Sequence, residues 1–253
     1  MQTTQSNPFE GKMFDDIYDL IIQTFPRYQT KDLAKLPSAD ELNSVLNKVN
    51  DNNKRLKFAC QDSNLAYIEL GYELRIYKHG IIAYREKNWH DFFNALVWLK
   101  FPETKTILNS IHYHEIQNQS SNQRSEKRDI LTLFDECGVL VQADQEILQL
   151  IKEHKWQELF IDNSQLWLDQ KIKVTTFGHA MYEKYLSPYI GMTAKAILLP
   201  NHIKNIDTYL ANKITNCELL YLKTELYPLP LLGIPKWHPK QTSEFYNNKN
   251  YFR

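Results

Sequence analysis

The stretch Asn88-Trp89-His90-Asp91-Phe92-Phe93-Asn94-Ala95-Leu96-Val97-Trp98-Leu99 carries the clearest structural signal in the chain. The Asn88 side chain can cap a helix, and Asp91 falls in the first turn, where a carboxylate favours the helix dipole. Phe92, Phe93, Leu96, Val97 and Leu99 supply an apolar surface. So dense a surface predicts a helix that is central and largely buried. Pro102 ends this helix or restarts the chain after it, and residues 104–112 read as a further helix.

Upstream, residues 13–25 place Phe14, Ile17, Tyr18, Ile21, Ile22 and Phe25 on one helical face. Ser38 followed by Glu41 predicts a capping box and a helix to about residue 49, closed by a polar loop at 51–54. Residues 56–60, 66–70, 73–78 and 80–85 are short and rich in aromatic and branched side chains. With Gly71 and Gly80 at turns, they read as an antiparallel meander.

Downstream, residues 115–127 lack apolar periodicity and read as a surface loop. Residues 128–136 fit a helix closed by Gly138 or the first strand of a hairpin, with helix favoured. A strand is expected at 139–141, a helix from Asp144 to about 160, a strand at 173–177, and helices at 179–186 and 203–214. Pro228, Pro230, Pro235 and Pro239 predict an extended C-terminal tail, 227–253, docked on the body. The fold class predicted is α+β: a single domain, 1–253, of helices on a short antiparallel sheet, with residues 1–55 as N-terminal helices.

Composition removes several function classes. Among 253 residues, 30 Lys and Arg balance 30 Asp and Glu, so no global field draws the chain to nucleic acid. The seven glycines form neither GxGxxG nor GxxxxGK[ST], so no nucleotide cofactor is expected. GxSxG and HExxH are also missing. Cys60, Cys137 and Cys217 are far apart and form no CxxC pair, which argues against a Cys-rich zinc site or a disulfide framework. Residues 1–12 do not read as a signal peptide, and the longest apolar run is about five residues against the ~20 of a membrane span. A cytoplasmic protein with no membrane partner is expected.

Four polar clusters stand beside large aromatic residues. His90 and Asn94 share a helix face at i, i+4. His112 and His114 point to one side if extended, a geometry seen in metal sites, and diverge if helical. Asp129, Thr132 and Glu136 form a polar stripe on a helix, with Arg128 and Asp135 beside it. His179 follows Gly178 and lies one turn before Glu183, a pair able to share a divalent cation or hold one imidazole tautomer. Each also has a structural reading. Asp91 serves as a helix-start charge, His90 and His179 as satisfied core histidines, and Arg128 with Asp129 as an ion pair.

The run 88–98 resembles the NWHDxFNALxW signature of a mainly proteobacterial domain-of-unknown-function family, family 3025. Later blocks are similar to it too: Arg128-Asp129, Thr132-Leu133-Phe134-Asp135-Glu136, Phe177-Gly178-His179-Ala180, Thr193-Ala194-Lys195, and Leu232-Gly233-Ile234-Pro235 with Trp237. The resemblance spans roughly residue 84 to the C-terminus. It coincides with the polar clusters and implies no particular reaction.

The functional expectation is a cytoplasmic bacterial enzyme using His and carboxylate groups, with hydrolysis of a small anionic substrate as the reaction class. His90 and His179 are the candidate acid/base groups, because imidazole titrates near neutrality, and Asp129 joins the catalytic set as an orienting carboxylate or ligand. Lys105 and Lys195 would neutralise the anion. His112, Asp135, Glu136 and Glu183 are candidate ligands for a divalent metal. The alternative is a non-catalytic binding or regulatory protein whose tail offers Leu229, Leu231, Leu232, Ile234 and Trp237 as an interaction surface. The oligomeric state stays open.

Overall fold

The computed structural model describes residues 12–25, 36–119 and 123–253. Parts of the expected N-terminal helical region (1–11 and 26–35) and the centre of the expected 115–127 loop (120–122) lie outside the described residues. The fold is α+β, as the sequence predicts. The chain forms two compact units. The first combines residues up to Asp16 with Leu133–Lys204 and Leu222–Arg253; the second holds Ile17–Thr132 and Asn205–Tyr221.

From Ile17 onward α1 (Asp15–Thr24) belongs to the second unit, where it buries Ile17 and Ile21, two of the predicted apolar positions. The capping box forms as expected: Ser38 Oγ accepts from Glu41 N, and Ser38 N donates to Glu41 Oε2 at 2.9 Å. The helix it opens, α2 (Ala39–Val45), is shorter than predicted. The antiparallel meander does not form. β1 (Lys57–Cys60) and β2 (Ile81–Tyr84) pair in parallel, Lys57 beside Ile81. Parallel partners need a crossover rather than a tight turn, and α3 (Tyr72–His79) supplies it. Gly71 and Gly80 are therefore helix ends, not hairpin turns. Gly80 takes the left-handed conformation, φ +71°, that commonly terminates helices.

α4 (Trp89–Lys100) buries Phe92, Phe93, Ala95, Leu96, Val97 and Trp98, and Asn88 caps it by accepting from Asp91 N at 3.0 Å. Asp91 is more than a helix-start charge: it accepts from Arg85 N, Nε and Nη2 at 2.7–3.0 Å. Pro102 opens α5 (Pro102–Asn118), which extends into the region expected as loop. Its first turn is capped from a distance: Glu103 N and Thr104 N donate to the Asp207 carboxylate at 2.9 and 2.8 Å. Asp207 belongs to α10 (Ile206–Thr215).

The first unit is built on a four-stranded sheet. β3 (Gly138–Ala143) and β5 (Thr193–Pro200) run parallel at its centre; β4 (Lys173–Thr176) and β6 (Tyr227–Pro230) flank them antiparallel. β3 is buried at every position. β6 reads Tyr-Pro-Leu-Pro and sits at the edge, where proline removes no interior ladder bond. α6 (Glu126–Cys137) runs directly into β3, which settles the helix-or-strand alternative at 128–136. The long helix expected after Asp144 stops as α7 (Gln145–Lys152), because His154 adopts φ +55°. The unit also contains a wide turn at Glu158–Asp162, α8 (Ser164–Leu168), α9 (His179–Tyr185) and α11 (Ser243–Tyr246).

The C-terminal segment is integrated into this unit. Tyr251 Oη accepts from Leu232 N at 2.9 Å and donates to Met192 O at 2.7 Å, and Trp156 Nε1 donates to Arg253 O at 2.7 Å. Leu229, Leu231, Leu232 and Ile234 are buried in the unit's own core, so the tail does not present them to a partner. No helix among the described residues is long and apolar enough to cross a membrane.

Candidate functional site

The site lies in the first unit, at the junction where α6 ends and β3 begins. β4 runs antiparallel to β3 with Thr176 opposite Val139, so the chain leaving β4 passes over that junction. There Gly138 O accepts from Phe177 N at 3.0 Å and from Gly178 N at 2.7 Å. The approach requires glycine. A Cβ on Gly178 would stand 2.5 Å from Glu136 O and Gly138 N, and one on Gly138 would stand 2.4 Å from the Phe134 ring. α9 starts at the next residue, which places His179 against the last turn of α6.

His179 is buried, at 5% exposure. Its Nδ1 lies 3.7 Å from Asp135 Oδ2, and its Nε2 lies 3.8 Å from Glu136 Oε1. One imidazole is thus flanked by a carboxylate at each ring nitrogen. The two carboxylates differ in access: the Asp135 side chain is 21% exposed and that of Glu136 40%. Both sit in the last turn of α6, where the terminal carbonyls add negative potential of their own. The corner therefore concentrates negative potential around one imidazole, and its donor types, a ring nitrogen and carboxylate oxygens, are those that metal ions take.

The helix carrying His179 is anchored from below. Tyr182 Oη lies 2.9 Å from both Asp16 Oδ2 and Thr176 O, and Tyr185 Oη is 3.0 Å from Thr176 Oγ1. Thr176 N also donates to Asp16 Oδ2, at 2.6 Å. Burial, reinforced by the Asp16 charge, pushes the Tyr182 phenol well above its ordinary value; burial likewise raises Tyr185. Both hydroxyls stay protonated and act as fixed struts. Sequence reading missed Asp16, Tyr182 and Tyr185, because their role depends on long-range partners. It also missed Lys184, whose Nζ is 3.7 Å from Cys137 Sγ.

Glu183 is on α9, exposed, one turn beyond His179. Lys195 is half-buried on β5, in register with Gly138. His90 belongs to the second unit, in the first turn of α4, half-buried. Lys105 is buried in that unit; its Nζ donates to Asn94 Oδ1 at 3.1 Å and stands 5.2 Å from the Trp98 ring centre. His112 is buried on α5, while His114 lies edge-on to Tyr77. Because α5 is helical through both, the two imidazoles diverge and do not form the extended pair considered from sequence. Asp129 pairs with Arg124 at 3.2 Å rather than with Arg128, which donates to Gln119 Oε1.

No curated protein and no solved structure matches the chain. A domain family does, over residues 56–253. That span takes in α4, the α6–β3 junction, Gly178-His179 and the C-terminal segment, which are the blocks that carry the resemblance in the sequence. The chain belongs to the family described as "Protein of unknown function (DUF3025)".

Proposed function

We propose that the chain is a cytoplasmic bacterial hydrolase acting on a small anionic substrate, with His179 as its acid/base group. The observation that carries this reading is the buried imidazole flanked at both nitrogens by Asp135 and Glu136. Asp135, the less exposed carboxylate, stands 3.7 Å from Nδ1, beyond hydrogen-bond length, and acts on the ring through its charge. Nε2 then faces the more accessible Glu136 and is the nitrogen able to exchange a proton with a water or a leaving group. The same pair, Nε2 and Glu136, offers donors to a divalent cation, which would supply a water of lowered pKa. Lys195 and Lys184 are the cations of this unit proposed to meet the substrate's charge. The balanced net charge and the missing nucleotide motifs support a small molecule over nucleic acid.

The test is a screen of phosphate and carboxylate esters, with and without Mn²⁺ or Zn²⁺, on the wild-type protein and on His179→Ala, Asp135→Asn and Glu136→Gln. His90→Ala is added because the sequence reading names it as a second acid/base group. An acid/base role predicts a loss of about 10²–10⁴-fold in kcat for His179→Ala, with Tm close to wild type. Loss of activity that merely tracks loss of Tm would assign His179 to the core. Full activity in that variant would end the proposal.

A further inference from the structure

The second unit holds a cavity of its own. The cavity, of about 410 Å³, is lined by Asn43, Leu46, Arg55, Leu56, Lys57 and His79, a volume within the range of small-ligand pockets. Its lining divides into two parts. Leu46 and Leu56 are buried and form an apolar floor, whereas Arg55 and Lys57 are exposed at the rim and His79 is half-buried. Among the described residues, two permanent cations and an imidazole therefore line one space, and none of the six lining residues carries a negative charge.

The surrounding backbone holds these groups together. Lys57 N donates to Gly80 O at 2.8 Å, tying the start of β1 to the end of α3. A Cβ on Gly80 would lie 2.3 Å from Arg55 O, so the glycine is what lets Arg55 approach His79. Asn50 Nδ2 donates to Ile76 O and Tyr77 O at 2.8 and 2.9 Å, while its Oδ1 accepts from Asn52 N and Lys54 N. The loop before Arg55 is thereby locked onto α3. On the far wall, Asn43 exchanges two hydrogen bonds with the Phe58 backbone, at 2.9 and 2.7 Å, joining α2 to β1. The His79 ring is itself held: Tyr67 stacks on it with centroids 3.5 Å apart and planes 8° from parallel. Tyr67 does so from a left-handed backbone, φ +58°, a conformation that persists only where its surroundings enforce it.

We infer that this cavity binds a small organic anion, a phosphate or carboxylate joined to an apolar group, with Arg55, Lys57 and His79 on the charged end and Leu46 and Leu56 under the apolar end. Arg55 supplies the forked donor set that suits both anions, and Lys57 adds a point charge. Asn43, Leu46 and Arg55 precede residue 56, so half of the lining lies outside the family match. The site is independent of His179 and does not rest on the hydrolase reading.

The full chain is titrated calorimetrically with phenyl phosphate, with inorganic phosphate and phenol as probes of each half. The expected result is saturable binding of phenyl phosphate, weaker binding of inorganic phosphate and none of phenol. The double variant Arg55→Gln/Lys57→Gln should weaken phenyl phosphate at least tenfold with Tm unchanged, since both side chains are exposed. Phenylphosphonate, which cannot be hydrolysed, should show the same weakening when the double variant is made in a His179→Ala background, which takes the proposed hydrolytic site out of the comparison. Absence of phenyl phosphate binding, or binding indifferent to the double variant, overturns the assignment. So does binding that is lost only in His179→Ala. Inorganic phosphate binding as tightly as phenyl phosphate overturns the role of the apolar floor.

Discussion

Gly178 and Gly138 set the candidate site as much as its charged residues do. The carboxylates of Asp135 and Glu136 meet His179 only because the chain can cross the α6–β3 junction at backbone contact distance. Gly178→Ala places a methyl where backbone atoms already stand. A cost of about 1–3 kcal/mol is expected for such overpacking, read as a fall in the midpoint of urea unfolding. The same shift should move His179 away from its partners, so activity should fall further than in a stability-matched core variant. Asp91 is the counterpart in the second unit. Asp91→Asn removes the charge that holds the Arg85 backbone and guanidinium and should cost about 1 kcal/mol, since the Arg85 side chain is half exposed, measurable by thermal denaturation. The sequence shows Asp91 as a first-turn carboxylate, and it is one. Its bidentate hold on Arg85 was not legible, because that contact depends on how β2 turns into α4.

At the level of elements, the C-terminal segment gives the clearest pH prediction. Tyr246 Oη donates to Gly233 O at 2.9 Å, and burial pushes its phenol up to about 12; burial raises Tyr251 too. A folded-state pKa above the unfolded value means that the folded chain holds the proton more tightly. The stabilisation from Tyr246 is therefore complete below about pH 10, the unfolded value, and is lost as pH rises towards 12. Unfolding midpoints should fall across that window, and Tyr246→Phe should flatten the fall. Removing residues 243–253 should lower Tm clearly, since it strips Trp156 and Leu232 of hydrogen-bond partners. The elements also show where local signals succeed. Capping residues at Ser38 and Asn88 predicted helix starts that the structure contains, because a cap is a contact within four residues. α3 was misread as a strand because its aromatic and branched content outweighed Glu73 and the basic last turn. That content suits either element once it is half-buried.

For the molecule as a whole, equal numbers of acidic and basic residues leave a net charge of zero at pH 7. Little repulsion separates copies there, so solubility should be lowest near neutrality and rise on moving to pH 8.5. A solubility curve in low salt checks this, and a minimum far from neutrality would contradict it. The sequence by itself determined the α+β class, the buried helix at residues 88–99, the family, and the residues of interest around Asp135, Glu136 and His179. Those follow from periodicity, caps and motif, all of which act over a few residues. Only the tertiary structure decided which polar residues meet. It put Asp135 and Glu136 beside His179, closed the tail's leucines into a core, turned a presumed meander into a parallel pair with a helical crossover, and gathered Arg55, Lys57 and His79 around one cavity. The physical reason is that side chains 22 to 44 positions apart in the chain become neighbours through strand register and glycine-permitted backbone contacts, and no local pattern encodes that distance.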